Sequence, residues 1–382
     1  MIKRIYKALR RRLVWGFNYL FPIKKNKIVI SSYYGRGYGD NPKYIVEELL
    51  KRDLDLEIVW LVKDKKEAAT LPAGVKPAIY NSCNAVYHLS TAKVWIDNCR
   101  KAYLFKKKSQ YYMQTWHGFA LKRIEKDVAD TFPPYYIKEA SKDAAGTDVI
   151  VSDSRFMTGI YKNSFWYDGE VCEWGSPRND CIINPVSDNS KKVRAALSIK
   201  EDTKTVLYAP TFRADHSTEC YALDYGRLIS TLEKRFGEKF TVLVRLHPNI
   251  VHKCSDIPFS ERVVNATLYP DMQELLEFAD IVISDYSSLM FDFSMMFKPC
   301  FQFATDIEAY KADRNFYFEL DKLPFDLAHN NDELEKALLE FDDGVYRSKL
   351  SDFFESVGMI RDGLASKRCA DRIIQVINGK HA

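Results

Sequence analysis

The stretch Ile28-Val29-Ile30-Ser31-Ser32 leads into the glycine-rich run Gly35-Arg36-Gly37-Tyr38-Gly39, and a segment with helical periodicity follows from Tyr44 to Lys51. The first stretch is short and β-branched, which predicts a buried strand, and the third predicts a helix. A second apolar run, Glu57–Val62, predicts the next strand. A strand, a helix and a second strand in this order are typical of a parallel α/β sheet.

This alternation continues through most of the chain and predicts two α/β domains. A polar, helix-like stretch, Ser187–Thr205, separates two sets of strands of about equal size, and a helix is predicted at Met272–Phe278. We therefore predict two Rossmann-like domains that face a cleft, at 28–186 and 187–382, after an N-terminal segment, 1–27. The other predicted strands are Val94–Asp97, Tyr111–Thr115, Asp148–Ser152, Val206–Ala209, Phe240–Arg245, Arg262–Asn265, Ile281–Ser284 and Cys300–Phe303.

The basic residues are unevenly distributed along the chain. Of 382 residues, 56 are Lys or Arg and 52 are Asp or Glu, so the net charge is +4. The first 27 residues hold nine cations and no acidic residue, which leaves 47 basic against 52 acidic residues, or −5, for the remainder. Basicity confined to one segment argues against a dedicated nucleic-acid-binding protein, and we expect no nucleic-acid partner.

The N-terminal segment has the pattern of a basic amphipathic helix. Its apolar residues share one helical face, four cations lie opposite (Lys3, Arg4, Lys7 and Arg11), and Arg10 and Arg12 lie on the flanks. Such a helix can lie in the headgroup region of an anionic membrane, which is the interpretation we favour. The alternatives are a helix docked on the protein core and, with less support, a contact with nucleic acid. The predicted membrane-contact residues are Lys3, Arg4, Lys7, Arg10, Arg11 and Arg12.

The composition indicates a folded cytosolic protein. With 46% hydrophobic and 28% charged residues, the chain is neither disordered nor collagen-like. Its eight cysteines form no CxxC or Cys/His cluster, so we expect reduced thiols and no zinc site. No run approaches the ~20 apolar residues of a spanning helix, and we expect no cleaved signal peptide.

The segment Gln114-Thr115-Trp116-His117-Gly118 directly follows a predicted strand. Ligands of parallel sheets bind beyond the carboxyl ends of strands, so His117 is placed where sites form. A histidine that titrates near neutral pH can accept a proton from an attacking hydroxyl. A structural histidine with all its hydrogen bonds satisfied is the alternative.

Two other turns of the first half carry glycine or proline. The turn Gly175-Ser176-Pro177-Arg178 holds an arginine suited to bidentate contact with phosphate, or one that pairs with a neighbouring carboxylate. The run from Gly35 to Asp40 has the spacing GxGxG and lacks the third glycine of the GxGxxG dinucleotide fingerprint. We therefore interpret it as a tight loop between a strand and a helix.

In the second half, polar groups follow three predicted strands. These groups lie in Pro210-Thr211-Phe212-Arg213, Arg245-Leu246-His247-Pro248 and Asp285-Tyr286-Ser287-Ser288. A serine that caps the next helix leaves N–H groups and a helix dipole suited to a pyrophosphate, and a cap without a ligand is the alternative. Together these histidines, arginines and serines predict a phosphate-rich ligand held without an obligatory metal.

Five segments in this order resemble the CDP-glycerol glycerophosphotransferase family of teichoic-acid synthesis: 114–118, 177–180, 208–213, 245–248 and 285–292. The resemblance implies a GT-B fold, CDP-glycerol bound mostly on the C-terminal domain, and peripheral attachment to the cytoplasmic face of the cell membrane. The implied CDP-glycerol contacts are His117, Gly118, Phe119, Ala120, Leu121, Arg178, Pro210, Thr211, Arg245, Leu246, His247, Ser287, Ser288 and Asp292.

The resemblance also implies roles for the two histidines. We assign His117 as the general base and His247 as the stabiliser of the phosphoryl group, and the reverse assignment stays open. The family has a small hydroxyl residue and a proline where this chain has Phe119 and Ala120, which bears on the backbone contacts and the acceptor preference there. We expect no obligatory cofactor, and assistance by Mg²⁺ stays open.

The resemblance thus implies an enzyme that transfers glycerol phosphate from CDP-glycerol to an undecaprenyl-pyrophosphate-linked disaccharide and releases CMP. The short segment before the catalytic region favours a primase-like enzyme. A chain-extending glycerol- or ribitol-phosphate transferase would carry the same donor motifs. A GT-B glycosyltransferase that makes a capsule or cell-surface glycan is the alternative enzyme class, and a membrane-bound nucleotide-binding scaffold is the non-enzymatic alternative.

Overall fold

The computed structural model describes residues 13–101, 105–185, 188–213, 221–308, 310 and 315–380. Within these residues the chain forms two compact units. The first contains the described residues up to His117, Glu125–Asp180 and those from Asp362 onward. The second contains Gly118–Ile124 and the described residues from Cys181 to Arg361.

The first unit is built on a parallel sheet whose strands are largely apolar. In the described residues these strands pair in the order β3-β2-β1-β4-β5-β6-β7, with Ile28 aligned to Ile58 on one side and to Val94 on the other. Ile28 and Val94 are fully buried, as their continuous apolar runs predict. The strands are β1 (Lys24–Ser31), β2 (Glu57–Val62), β3 (Val75–Ile79), β4 (Ala92–Asp97), β5 (Tyr111–Gln114), β6 (Val149–Ser152) and β7 (Glu170–Glu173).

The second unit has a parallel sheet of its own. Its described strands pair in the order β10-β9-β8-β11-β12-β13, with Val206 aligned to Val242 on one side and to Ile281 on the other. Each sheet therefore reverses its strand order beside its first strand, and ligands of doubly wound folds bind at this switch point. The strands are β8 (Thr203–Tyr208), β9 (Lys239–Val244), β10 (Val263–Asn265), β11 (Ile281–Ser284), β12 (Cys300–Phe303) and β13 (Asp326–Ala328).

Helices connect the strands, and several begin at a polar side chain that accepts a backbone hydrogen bond. Ser154 Oγ accepts from the N–H of Met157, and Asp224 accepts from that of Arg227. Such caps satisfy donors that have no partner inside the helix. The helices are α1 (Asp40–Leu50), α2 (Lys65–Ala68), α3 (Cys83–Thr91), α4 (Pro134–Gly146), α5 (Arg155–Ser164), α6 (Asp180–Ile183), α7 (Asn189–Leu197), α8 (Tyr225–Phe236), α9 (Met272–Phe278), α10 (Leu289–Ser294), α11 (Asn331–Glu340), α12 (Asp343–Val357) and α13 (Ala365–Ile377).

The C-terminal helix α13 belongs to the first unit, whereas the sequence placed it in the domain 187–382. Its apolar face carries Cys369 and Ile373, which are fully buried in the same core as Ile28. Asp180 accepts hydrogen bonds from two backbone N–H groups in the first turn of α13. The helix thus completes the first core, and the two units divide after Asp180 and again after Arg361, whereas the predicted boundary was 186/187.

The segment Gly118–Ile124 also differs from the predicted domain assignment. It lies within the predicted domain 28–186 but belongs to the second unit. Lys122 pairs with Phe316 in an antiparallel bridge, and the carbonyl of Leu121 accepts from the N–H of Tyr317 at 2.9 Å. The chain therefore leaves the first unit directly after His117.

The predicted membrane-contact residues Lys3, Arg4, Lys7, Arg10, Arg11 and Arg12 lie outside the described residues. Residues 13–19 are helical, and Trp15 packs on the ring of Phe105 with centroids 5.2 Å apart. Leu13, Phe17 and Leu20 are exposed by 72%, 65% and 81%. Among the described residues, no helix has both the length and the apolar character needed to cross a bilayer. Contact with the membrane surface stays a prediction.

Candidate active site

His117 lies in a strained turn that directly follows β5. Trp116 has a φ of +50° and Gly118 a φ of +145°. A left-handed backbone is unfavourable for a bulky residue, and surrounding structure must hold it in place. The N–H of Trp116 donates to Gln114 Oε1 at 2.9 Å, and the indole stacks on the imidazole of His117 with centroids 4.3 Å apart. The turn therefore places His117 at the carboxyl edge of the first sheet.

The imidazole of His117 is oriented by the backbone of the segment after β4. Its Nδ1 lies 2.6 Å from the carbonyl oxygen of Asn98. A carbonyl oxygen only accepts, so Nδ1 carries the proton and Nε2 keeps a lone pair. Burial lowers the pKa of His117, although the hydrogen bond to Asn98 and the charge of Asp40 act in the opposite direction. The ring is therefore neutral at pH 7, and its Nε2 can accept a proton.

Arg178 is buried and ties the His117 turn to Asp40. Its Nη1 donates to Asp40 Oδ2 and to the carbonyl oxygen of His117, both at 2.8 Å. The hydroxyl of Tyr33 donates to the same Asp40 oxygen at 2.8 Å. Burial would raise the pKa of Asp40, but the guanidinium of Arg178 holds it below its ordinary value. The carboxylate pairing that the sequence left open is thus present, and direct contact of Arg178 with phosphate stays a prediction.

In the second unit, the loops after the neighbouring strands β8 and β11 are joined by Asp285. Its Oδ1 accepts from the N–H of Thr211 at 2.8 Å, and its Oδ2 lies 2.9 Å from Arg213 Nη2. Arg213 also donates from Nε to Asp306 Oδ2 at 2.6 Å. Burial would raise the pKa of Asp306, but Arg213 lowers it. Thr211, with the buried Pro210 before it, is thereby fixed at the switch point of the second sheet.

The two serines after β11 begin a short helix, and one of them caps it weakly. Ser288 occupies the N-cap position of α10 without a side-chain capping bond, whereas Ser287 Oγ accepts from the N–H of Leu289 at 3.4 Å. Asp292 on this helix is buried, and its Oδ2 accepts from Gln273 Nε2 at 3.2 Å. The side-chain bond to this helix thus comes from Ser287, one residue before the N-cap, and both serines are half buried.

The segment after β9 brings the second histidine to the same edge of the second sheet. Arg245 Nη1 donates to the carbonyl of Tyr269 at 2.6 Å, and burial lowers the pKa of Arg245 to about 10, so it is cationic at pH 7. Leu246 is buried. His247 is exposed, and its ring lies 5.4 Å from that of Phe212. Thr211, His247 and Ser287 therefore all follow parallel strands of one sheet.

Phe119 lies in an aromatic cluster of the second unit. Its ring is 3% exposed and lies 4.5 Å from that of Phe291 and 5.9 Å from that of Phe318, measured between centroids. The next two residues, Ala120 and Leu121, are also buried. Phe119 therefore packs in the core of the second unit, and contact of residues 119–121 with CDP-glycerol stays a prediction.

The sequence missed several polar residues that hold these turns. Asp40 and Asn41 begin α1 directly after the glycine-rich loop, and Asn98 directly follows β4. Asp306 follows β12 and reaches Arg213 from there. The available signal was their position beyond the carboxyl ends of strands, the criterion that selected His117.

Comparisons with known proteins identify the family of the chain. Residues 13–375 match the family described as CDP-Glycerol:Poly(glycerophosphate) glycerophosphotransferase. The chain belongs to this family. It is 31% identical to the teichoic acid poly(glycerol phosphate) polymerase of Staphylococcus epidermidis, over 92% of this chain and 51% of that one. It is 29% identical to the teichoic acid glycerol-phosphate transferase of Staphylococcus aureus, over 98% and 100%.

The chain spans about half the length of the S. epidermidis polymerase and of a polymerase from Bacillus subtilis that it also matches. Among solved structures, it resembles a histidine variant of the wall teichoic acid polymerase TagF soaked with CDPG. The TM-score is 0.86 at 28% identity, and each chain is covered completely. The predicted α/β fold of the GT-B type is therefore confirmed.

Proposed function

We propose that the protein transfers glycerol phosphate from CDP-glycerol to a hydroxyl of a lipid-linked acceptor and releases CMP. The observation that carries the proposal is the neutral, oriented His117 in a member of this family. Its Nε2 takes the proton of the acceptor hydroxyl as that oxygen bonds to the β-phosphorus of CDP-glycerol. The bond from this phosphorus to the bridging oxygen breaks, and the electron pair leaves with CMP.

The groups of the second unit are suited to the charge of the donor. Arg245 is cationic, His247 is exposed, and Ser287 and Ser288 lie at the start of α10. Cationic and N–H groups aimed at phosphoryl oxygens stabilise the charge that builds up during transfer. We propose that these groups, with Pro210, Thr211 and Asp292, contact CDP-glycerol, and that no metal is obligatory.

The proposed acceptor is an undecaprenyl-pyrophosphate-linked disaccharide at the cytoplasmic face of the cell membrane, to which a primase-like enzyme adds the first unit. Relatives named as primases support a primase-like role: the teichoic acid glycerol-phosphate primase of Bacillus subtilis is 28% identical over 77% of this chain and 76% of that one. The exposed Leu13, Phe17 and Leu20 support contact with a lipid surface.

A nucleotide-release assay tests this proposal. CDP-glycerol, CDP-ribitol and a UDP-sugar are each offered with the lipid-linked disaccharide, with and without a first glycerol phosphate and with and without EDTA. We expect CMP from CDP-glycerol, addition of one unit to the unprimed disaccharide, and no effect of EDTA. Long products would show a chain-extending enzyme, and release of UDP a glycosyltransferase. Tight binding of CDP-glycerol without turnover would show a scaffold.

A further inference from the structure

The side chain of Asn41 joins two turns of the first unit. It is 2% exposed, and its Nδ2 donates to the carbonyl oxygens of Thr115 at 3.2 Å and Trp116 at 3.0 Å. Its Oδ1 accepts from Ser176 Oγ at 2.9 Å and from the N–H of Arg178 at 3.0 Å. A side-chain amide has two N–H donors and two acceptor lone pairs, so the full capacity of Asn41 is used.

These hydrogen bonds act on the turn that carries His117. Thr115 and Trp116 come after the end of β5, so their carbonyl groups need partners from outside the strand. Asn41 donates to both carbonyl groups, and Thr115 Oγ1 also donates to that of Trp116 at 3.2 Å. Arg178 Nη1 binds the next carbonyl, that of His117. Asn41 thus contacts two of three successive carbonyl groups of a strained turn and also accepts from the backbone N–H of Arg178.

We propose that Asn41 is a positioning residue for His117, an inference that rests on the function proposed above. Asn41 holds Trp116 in its left-handed conformation, in which Nδ1 of His117 reaches the carbonyl of Asn98 and Nε2 is left to accept a proton. It does not itself touch the reacting atoms. A displacement of about 1 Å in a catalytic group costs about 100-fold in rate, so the loss of this support changes turnover more than donor binding.

Gln110 provides a matched control in the same unit. It is also 2% exposed, and its Nε2 donates to the carbonyl oxygens of Leu89 at 2.7 Å and Ala92 at 2.6 Å. Its Oε1 accepts from the N–H of Lys107 at 2.8 Å. Gln110 lies just before β5, whereas Asn41 reaches the residues just after that strand. Loss of either amide removes similar hydrogen bonds, but only Asn41 contacts the His117 turn.

The test compares Asn41→Ala with Gln110→Ala in the full chain, below the melting temperature of both. The proton position on His117 is measured by ¹⁵N NMR, with the His117 resonances assigned by their loss in His117→Gln. CMP release and the Kd for CDP-glycerol are measured on the same samples. If Asn41→Ala does not fold, Asn41→Asp and Gln110→Glu replace the pair, because both keep their shape and acceptor oxygens while losing the amide donors.

We expect the Nδ1–H tautomer of His117 in the wild type and in the Gln110 variant, and a mixture of tautomers in the Asn41 variant. The kcat of the Asn41 variant should fall about 100-fold, whereas its Kd for CDP-glycerol should stay within about threefold of the wild-type value. The kcat of the Gln110 variant should change little. An undisturbed tautomer in the Asn41 variant, or an equal fall of kcat in both variants, would overturn the proposal. If the wild type releases no CMP, the proposed function fails, and the tautomers still decide the role of Asn41.

Discussion

His117 and His247 each follow a strand at the carboxyl edge of a parallel sheet, yet their surroundings differ. His117 is stacked on Trp116, bound through Nδ1 to a carbonyl oxygen and set in a turn with a left-handed residue. His247 is exposed beside the ring of Phe212. A ring held neutral in one orientation suits proton transfer, whereas an exposed ring suits contact with a charged ligand. From this difference we propose that the general base belongs to the first unit.

The largest expected effect separates the two histidines by the same substitution. Glutamine keeps an N–H donor but is no base at neutral pH. His117→Gln should therefore lower kcat by about 1,000-fold, because it removes general base catalysis. His247→Gln should lower kcat by no more than about tenfold, because glutamine keeps an N–H group that can donate a hydrogen bond. Single-turnover CMP release measures both, and the opposite ranking would exchange the two roles.

The Asp–Arg ion pair within the first unit is expected to contribute more to stability than the one within the second unit. Asp40 and Arg178 have side chains that are 7% and 6% exposed, whereas Asp306 is 24% exposed and Arg213 also pairs with Asp285. Asp40→Asn should lower the stability of the first sheet by about 3 kcal/mol, because it removes the charge opposite a buried guanidinium. Asp306→Asn should cost the second sheet about 1 kcal/mol. Hydrogen exchange of the amides in each sheet measures these losses separately.

The stability that Asp40 contributes is expected to depend on pH in one direction. The pKa of Asp40 is lower in the folded protein than in the unfolded chain. Its contribution to stability is therefore complete above the ordinary carboxyl pKa and is lost as the pH falls through the lowered value. The difference between wild type and Asp40→Asn should shrink in acid over this window. A difference that stays constant there would contradict the charge pairing of Asp40 with Arg178.

A smaller effect is expected in the pH profile of activity. Because burial lowers the pKa of His117, the acid limb of kcat/KM should lie below the ordinary histidine value of about 6.5. Asp40 raises the pKa of His117, so Asp40→Asn should move this limb further toward acid. Rate profiles of both proteins between pH 5 and 8, the range in which histidines titrate, check the shift. A limb above the ordinary value would contradict the assignment of His117 as the base.

Among the described residues, every central strand was predicted from the sequence, whereas three of the four edge strands were missed. All ten predicted strands are present, and most of them are the continuous apolar runs typical of strands buried on both faces. The three missed strands, β3, β7 and β13, lie at sheet edges. β3 contains Pro77, β7 has glutamates at both ends, and β13 has three residues. Edge strands are short or carry charges and proline, which removes the apolar signal.

The residues that follow strands were predictable, but the contacts between them were not. His117, Thr211, Arg245 and Ser287 stood out because each comes directly after an apolar run. Their partners lie far away in sequence: Arg178 meets Asp40 across 138 residues. Likewise, no sequence pattern indicated that α13 packs in the core of the first unit. Such pairings depend on the folded arrangement and leave no periodic signal in the sequence.

The most direct test of the account uses His117→Ala and the wild-type protein side by side. Binding of CDP-glycerol is measured by calorimetry, and CMP release is measured with the lipid-linked disaccharide as acceptor. We predict an unchanged affinity for CDP-glycerol and a fall in turnover of about 1,000-fold, because the variant lacks only the group that accepts the proton. Turnover near the wild-type level would contradict the assignment of His117 as the general base.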